Sequence, residues 1–240
     1  MTVQGPDTAA LEMRHVTKAF GGLRPLRIAC LTLGRGERVS IGGIDAGVSE
    51  LIVNLITGAS LPDTGEIRIF GRSTADIANS DEWLDSLDQF GIVSPRGVLL
   101  EGSTLLQNLA MPFTLSVDPV PSDVIGRVRA LAERCGIPPE PWLQVRAAEL
   151  PHDMRVRAHL MRALAHDPAL VVFEHPTADV GAGARGRLAI DVGRVCTERH
   201  VTVLVLTNDD DFARTVAPRN LRLQGATGQL KRLGTRWFPW

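Results

Sequence analysis

This 240-residue sequence has no excess of charge of either sign, only three cysteines and no long apolar run. The 26 basic and 27 acidic side chains leave a formal net charge of −1, which argues against nucleic-acid binding. Cys30, Cys135 and Cys196 are far apart and lack metal-ligand spacing, which predicts reduced packing thiols in a cytosol. No stretch approaches the ~20 apolar residues of a membrane span, and the first twenty residues lack a signal-type apolar run. We expect a cytoplasmic protein that contacts a membrane through a partner or its C-terminal tail.

The pattern of apolar residues predicts an α/β fold. With 44% hydrophobic and 22% charged residues, the chain can bury a sizeable core. Segments of strand-like and helix-like periodicity alternate, which is typical of a sheet covered by helices. We predict strands within 11–16, 26–33, 37–42, 66–70, 90–93, 170–180, 201–206 and 216–224, and helices within 51–58, 81–87, 122–135, 150–168 and 185–197. Ser122 is expected to cap the helix that it begins.

Residues 36–58, GERVSIGGIDAGVSELIVNLITG, have the pattern of a strand, a glycine-bearing turn and a helix. Gly42, Gly43 and Gly47 allow positive φ angles in the turn, and Gly58 is placed to end the helix. A helix N-terminus after such a turn offers backbone N–H groups to an anion, as in the phosphate loop G-x-x-x-x-G-K-S/T. The lysine of that motif is absent.

The start of this helix offers its own side chains to the free N–H groups. We expect Ser49 or Asp45 to cap the first turn with a side-chain oxygen. A carboxylate at Glu50 in that turn should also interact favourably with the helix dipole.

This stretch resembles the Walker A region of the ATP-binding cassette (ABC) transporter ATPases, where a GER-V strand precedes the loop and an NLITG-like helix follows it. Aligned without gaps, Gly43 and Val48 take the positions of the two glycines. Ser49 then replaces the lysine and Glu50 replaces the hydroxyl that binds Mg²⁺. A shift of one residue instead puts Val48 at the lysine and keeps Ser49 as the hydroxyl.

In the shifted alignment Gly42 and Gly47 are the two glycines, and again no lysine is present. Lysine supplies the point charge that the β- and γ-phosphates need, so a loop with Asp45 and Glu50 nearby should repel a polyphosphate. The aromatic Phe20, in VTKAFGGLRPL, either stacks on adenine as in the family or only covers the sheet edge. The resemblance implies a remnant nucleotide site formed by Phe20, Gly42, Gly43, Asp45, Ala46, Gly47, Val48, Ser49 and Glu50.

The other catalytic positions of the family also carry different residues here. Pro95 takes the place of the glutamine that senses the γ-phosphate, and proline has neither a side-chain amide nor an N–H group. Pro151, His152 and Asp153 take the place of the serine and glycines of the signature motif, although RALAHDP after them matches the family closely. The segment LLEGSTLLQNLA still resembles the entry to the family's helical subdomain.

The Walker B position, LVVFEHPTADV, has Glu174 and His175 in place of Asp-Glu. Glu174 is one methylene longer than the aspartate, and His175 stands where the family has its water-polarising glutamate. A histidine has a suitable pKa for general base work, but no organised phosphate is expected beside it. Gly181 replaces the D-loop aspartate, and Asn208 replaces the switch histidine. We therefore predict no catalytic residue and no metal site.

The resemblance covers about residues 11–233 and implies one ABC ATPase-like domain over 1–240. Its fold would be a P-loop-type mixed sheet with an antiparallel edge, flanking helices and a helical subdomain at about 91–165. Among ABC ATPases it looks like the branched-chain amino acid and lipoprotein or lipid transporter type. The tail 231–240, KRLGTRWFPW, is aromatic and basic, so it either inserts at a membrane or partner surface or folds back on the domain.

Loss of so many catalytic residues predicts a pseudo-ATPase subunit of a transport complex, with a permease and a hydrolysis-competent ABC ATPase as partners. It would require no cofactor, with weak binding of ATP and Mg²⁺ left open. Two alternatives remain. The chain is an atypical ABC ATPase that still binds or hydrolyses ATP, or it is a soluble regulator that has left transport.

Overall fold

The computed structural model describes residues 9–21 and 24–233, so most of the predicted C-terminal tail lies outside the described residues. The described strands are β1 (Ala9–Lys18), β2 (Leu26–Gly34), β3 (Arg38–Gly42), β4 (Thr64–Ile69), β5 (Arg72–Ser73), β6 (Phe90–Val93), β7 (Leu170–Glu174), β8 (Thr202–Leu206), β9 (Arg219–Gln224) and β10 (Gln229–Arg232). An antiparallel sheet has the order β2-β1-β4-β5, and a second sheet has the order β10-β9-β3-β8-β7-β6. In the second sheet only the β10 pairing is antiparallel.

The helices follow the predicted alternation with strands. They are α1 (Ala46–Ile56), α2 (Ser80–Leu87), α3 (Leu105–Ala110), α4 (Ser122–Arg134), α5 (Pro139–Trp142), α6 (His152–Ala163), α7 (Ala182–Glu198) and α8 (Asp210–Val216). Helices α3 to α6 fall within the segment 91–165 predicted as a helical subdomain. No described helix is both long and apolar enough to cross a bilayer. The predicted α/β fold with an antiparallel edge is confirmed.

Two apolar clusters cover the faces of the six-stranded sheet. One joins the sheet to the antiparallel sheet through α1, whose Ile52, Leu55 and Ile56 are fully buried. The other packs the sheet against the helices from α3 to α8, with Phe173 and Phe212 in edge contact. Burial of apolar residues at helical spacing explains why α1 forms where its sequence predicts it.

The parallel strands determine where the candidate site lies, because their carboxyl ends are at the same edge of the sheet. Glu174 at the end of β7 lies opposite Leu206 at the end of β8, and Leu206 lies opposite Ile41 of β3. Side chains that follow these strands therefore meet above this edge, where open α/β sheets bind ligands.

Of three local predictions, two are wrong and one is confirmed. Ser122 was expected to cap its helix, but it is the first helical residue, and Pro121 stands at the cap position without a side-chain hydrogen bond. Cys30 was expected to be a packing residue, but it is exposed. Gly58 is confirmed as the end of α1, because it follows the last turn with φ +73°.

Candidate functional site

The loop between β3 and α1 is shaped by one glycine and closed by an aspartate. Of the three glycines that allow positive φ, only Gly43 uses it, at φ +77°. A Cβ atom there would lie 2.9 Å from the Leu223 carbonyl oxygen, so glycine is required. Asp45 caps α1, since its Oδ1 accepts a hydrogen bond from the Val48 N–H at 2.8 Å. The capping role predicted for Asp45 is confirmed.

Asn208, two residues after the end of β8, binds further polar groups of the loop. Its Oδ1 accepts hydrogen bonds from the N–H groups of Gly43 at 2.7 Å and Ile44 at 3.3 Å. Its Nδ2 donates to the Ile44 carbonyl oxygen at 2.6 Å. The switch position therefore holds a side chain that binds the loop itself, and three of the N–H groups around the turn are bonded to Asp45 and Asn208.

Ser49 lies buried in α1 and points towards the end of β7. Its hydroxyl proton is shared between the Ala46 carbonyl oxygen at 2.9 Å and Glu174 Oε1 at 3.1 Å. The contact between this hydroxyl and the Walker B position fits the alignment that keeps Ser49 as the Walker A hydroxyl. Ser49 was also a candidate cap of α1, and that alternative is wrong, because its hydroxyl lies inside the first turns rather than at the helix end.

Glu174 is the most buried charged side chain at this edge, with 3% of its surface exposed. Its Oε2 accepts hydrogen bonds from the Ser94 hydroxyl at 2.8 Å and from Arg96 Nη2 at 2.7 Å. The other terminal nitrogen of Arg96 lies 2.5 Å from Glu50 Oε1. Glu50 was expected to act on the dipole in the first turn of α1, but it is the fifth residue of that helix and instead forms this ion pair.

His175 follows Glu174 in a left-handed conformation, with φ +40°. Its backbone N–H donates to the Leu206 carbonyl oxygen at 2.8 Å. Its Nε2 atom is buried and has no hydrogen-bond partner among the described residues. The side chain lines a cavity of about 350 Å³ that also contacts Pro95, His152 and His159. Burial and nearby arginines lower the pKa of His159 to about 4, so that imidazole is neutral near pH 7.

The signature position lies at the start of α6. Pro151 precedes the helix without a side-chain cap, and His152 and Asp153 are its first two residues. The Asp153 carboxylate lies 3.8 Å from Arg157 Nε, one turn further along. Phe20 is partly buried and packs on the cluster around α1, and one of its ring carbons would lie 4.0 Å from a Cβ atom at Gly47. It therefore lies beside the loop, as both interpretations of Phe20 require.

The sequence interpretation missed Arg96 and Ser94, and it missed that Asn208 binds the loop. The available signal was their position, since each comes within three residues of the carboxyl end of a parallel strand. Among the described residues, no three His, Cys, Asp or Glu side chains come together as a metal site. The side chains present do not fit a magnesium nucleotide: the guanidinium of Arg96 pairs with both carboxylates, and three of the loop N–H groups are already bonded.

The chain was compared with protein families and with known proteins. No family model matches it. It is 26% identical over 202 residues to the ABC transporter ATP-binding protein YxdL of Bacillus subtilis, covering 83% of this chain and 77% of YxdL. It is also 26% identical over 216 residues to the methionine import ATP-binding protein MetN of Brucella abortus, covering 89% of this chain and 58% of MetN.

Among solved structures, CbiO1 of Clostridium perfringens, part of the ABC transporter complex CbiONQ, superposes with a TM-score of 0.77. The alignment covers 93% of this chain and 87% of CbiO1 at 17% identity, so it establishes the fold alone. The predicted resemblance to ABC transporter ATP-binding proteins and the predicted ABC ATPase fold are confirmed.

Proposed function

From the premise that this chain is similar in sequence to the ATP-binding proteins of ABC transporters and has their cassette fold, we propose that it is a non-hydrolytic cassette subunit of a membrane transport complex. The observation that carries the proposal is the closed loop. Asp45 and Asn208 bind three N–H groups of the loop at 2.7 to 3.3 Å, and these groups are therefore not free for a phosphate.

The electrostatics of the site support the absence of turnover. Phosphoryl transfer depends mostly on positioning and on cations that stabilise the developing charge. Here no lysine follows the loop, and the cation nearest to the Walker B carboxylate, Arg96, is already bound to Glu174 and Glu50. The Nε2 atom of His175 is buried away from solvent. The chain offers neither a held phosphate nor a base directed at one.

A groove beside the site supports a permease as partner. It has a volume of about 420 Å³ and lies between the end of β6 and the helices α3 and α6. Val98 on its rim is 71% exposed, and Ile92, Met111 and Pro112 add further apolar surface. Polar side chains also line the groove, among them Asp88 and Arg162, so a short amphipathic helix is the occupant that fits it. We assign the groove to a cytoplasmic helix of a permease, which would hold the chain at the inner face of the cell membrane.

A second cassette completes the proposed complex. Because this chain's own site is closed, we propose that a hydrolysis-competent ABC ATPase subunit supplies the energy for transport. Pairing with a second copy of this chain is disfavoured, since Asp153 at the signature position would face the acidic loop of the other copy across the interface.

The first experiment measures turnover and nucleotide binding on the purified full chain. We expect no phosphate release above background and no change of melting temperature in 1 mM MgATP, compared with salt of equal ionic strength. A ligand at 100 times its dissociation constant would add about 2.7 kcal/mol to the free energy of unfolding, which is readily measured. Hydrolysis that disappears in His175→Ala would favour the atypical ATPase and overturn this proposal.

The second experiment tests the groove. The tagged chain is isolated from its native membrane, and the co-purifying proteins are identified. Val98→Asp should abolish recovery of the permease, because it places a charge on the apolar rim. Leu115→Asp is the matched control, since Leu115 is fully exposed and lies outside the groove. Equal recovery with both variants would contradict the assignment of the groove.

A further inference from the structure

We propose that Arg96 is a built-in cation, which holds the position that a divalent metal ion would need between Glu174, Glu50, Ser49 and Ser94. The inference concerns cation binding alone. It does not depend on whether the chain turns over ATP.

The oxygen atoms around Arg96 are those that a hard cation prefers. Both oxygens of Glu174 are engaged, Oε1 with the Ser49 hydroxyl at 3.1 Å and Oε2 with the Ser94 hydroxyl at 2.8 Å. Glu50 brings a second carboxylate to the same place. Carboxylates and hydroxyls are oxygen ligands suited to Mg²⁺ or Mn²⁺, and Mg²⁺ is commonly held by one or two carboxylates with waters completing the shell. Without Arg96, this group would present two negative charges to solvent.

Arg96 meets the electrostatic need of these carboxylates. A buried carboxylate such as Glu174 must be paired, because removing it from water without compensation is costly. The planar guanidinium offers its two terminal nitrogens in a fixed fork, and here each one binds a different carboxylate, Glu174 at 2.7 Å and Glu50 at 2.5 Å. One side chain thus bridges both anions, as a divalent ion would.

Arg96 also excludes an added ion from the same place. Its positive charge repels any cation approaching the carboxylates, and its terminal nitrogens take acceptor positions that a metal would use. The side chain is 46% exposed, so its removal should open the carboxylates to solvent without leaving an internal cavity. The site should then change from a closed ion pair to an open divalent-cation site.

The test compares Arg96→Ala with the wild-type full chain. Mn²⁺ binding is measured by electron paramagnetic resonance, and melting temperatures are measured with and without 5 mM MgCl₂. We expect the variant to melt roughly 4–10 °C lower, because the buried carboxylate of Glu174 loses its paired cation. It should bind one Mn²⁺ at least 10-fold more tightly than wild type, and Mg²⁺ should recover part of the lost melting temperature.

Two further variants show whether Mn²⁺ binding depends on this site rather than on the loss of any arginine. Arg129→Ala removes an arginine of similar exposure, 44%, that pairs with Glu140 on the surface. It should change neither the binding of Mn²⁺ nor the response to Mg²⁺. Arg96→Ala combined with Glu174→Gln should lose the Mn²⁺ site, because the central carboxylate is gone. If the alanine variant aggregates, Arg96→Gln serves in its place.

Two results would overturn the inference. One is wild-type protein that binds Mn²⁺ as tightly as the variant, and the other is a folded variant that binds no Mn²⁺. Neither result bears on the proposed function, which is judged by phosphate release and nucleotide binding. Conversely, ATP hydrolysis by the wild type would overturn the proposed function and leave the Mn²⁺ comparison intact.

Discussion

Replacing Asn208 with alanine should open the closed loop and lower stability by a measurable amount. The substitution removes two hydrogen bonds from the N–H groups of Gly43 and Ile44 and one to the Ile44 carbonyl oxygen. A typical protein hydrogen bond contributes about 0.5–1.5 kcal/mol net. Water reaches the exposed Gly43 and replaces part of the loss. We therefore expect a loss of about 1–2 kcal/mol, or a fall in melting temperature of roughly 2–8 °C.

The assay is urea unfolding followed by circular dichroism, with the slope of the transition compared between variants. Asn208→Asp is the matched control, because it keeps the acceptor for both N–H groups and removes the donor to Ile44. It should lose less stability than Asn208→Ala. MgATP should still not stabilise Asn208→Ala, since no lysine is present to hold a polyphosphate. An alanine variant as stable as wild type would refute the view that Asn208 closes the loop.

Three further predictions concern buried or half-buried titratable groups in, or at the ends of, the helices that cover the sheet. Arg157→Ala should cost about 3 kcal/mol in urea unfolding, because it leaves the buried carboxylate of Asp191, 2.8 Å from Arg157 Nη1, without this partner. Asp191→Asn in the same chain should recover part of that loss. His159, whose pKa burial lowers to about 4, takes up its proton in the unfolded chain near pH 6.5, so wild-type stability should fall relative to His159→Gln between pH 6.5 and 4. A melting-temperature difference that is constant across this range would contradict this. Burial raises the pKa of Cys135 and Cys196 to about 12, so a disulfide reagent should modify both roughly 1000-fold more slowly in the folded chain than after unfolding.

The parts of the fold that sequence predicts are those set by local periodicity. In α1, Leu51, Ile52, Leu55 and Ile56 recur at helical spacing and all of them are buried. The strand β8 was recognised from a run of β-branched and apolar residues, and all five of its residues are buried, as suits a strand covered on both faces. The strand β6 was recognised in the same way, but it is the edge strand of its sheet and its Ile92 is 39% exposed. Helix α8 was missed, because it is only seven residues long, although Asp209 caps it by accepting a hydrogen bond from the Phe212 N–H.

The contacts within the site could not be read from the sequence in the same way. Asn208 and Gly43 are 165 residues apart, and Arg96 and Glu174 are 78 apart. Strand order predicts that the residues after β6, β7 and β8 gather at one edge. It does not select their partners, because these depend on the rotamers of long side chains and on the turn each loop takes. Arg96 is the clearest case, because the sequence does not show that its side chain extends far enough to pair with Glu50 and Glu174 at once.

These contacts indicate that side chains of this chain have replaced the contacts of a nucleotide and its metal, rather than that the ligand-binding residues were simply lost. A site that had only lost its ligand residues would leave the loop N–H groups to water and the buried carboxylate of Glu174 without a cation, which is costly. Here Asn208 and Asp45 bind the loop, and Arg96 pairs with Glu174. Three N–H groups of the loop and the carboxylate of Glu174 therefore have partners from this chain in place of a nucleotide and its metal. These contacts should lower the affinity for a nucleotide, because a nucleotide would have to displace them before it made its own. In a complex with an active cassette, such a subunit would keep one conformation while its partner responds to ATP.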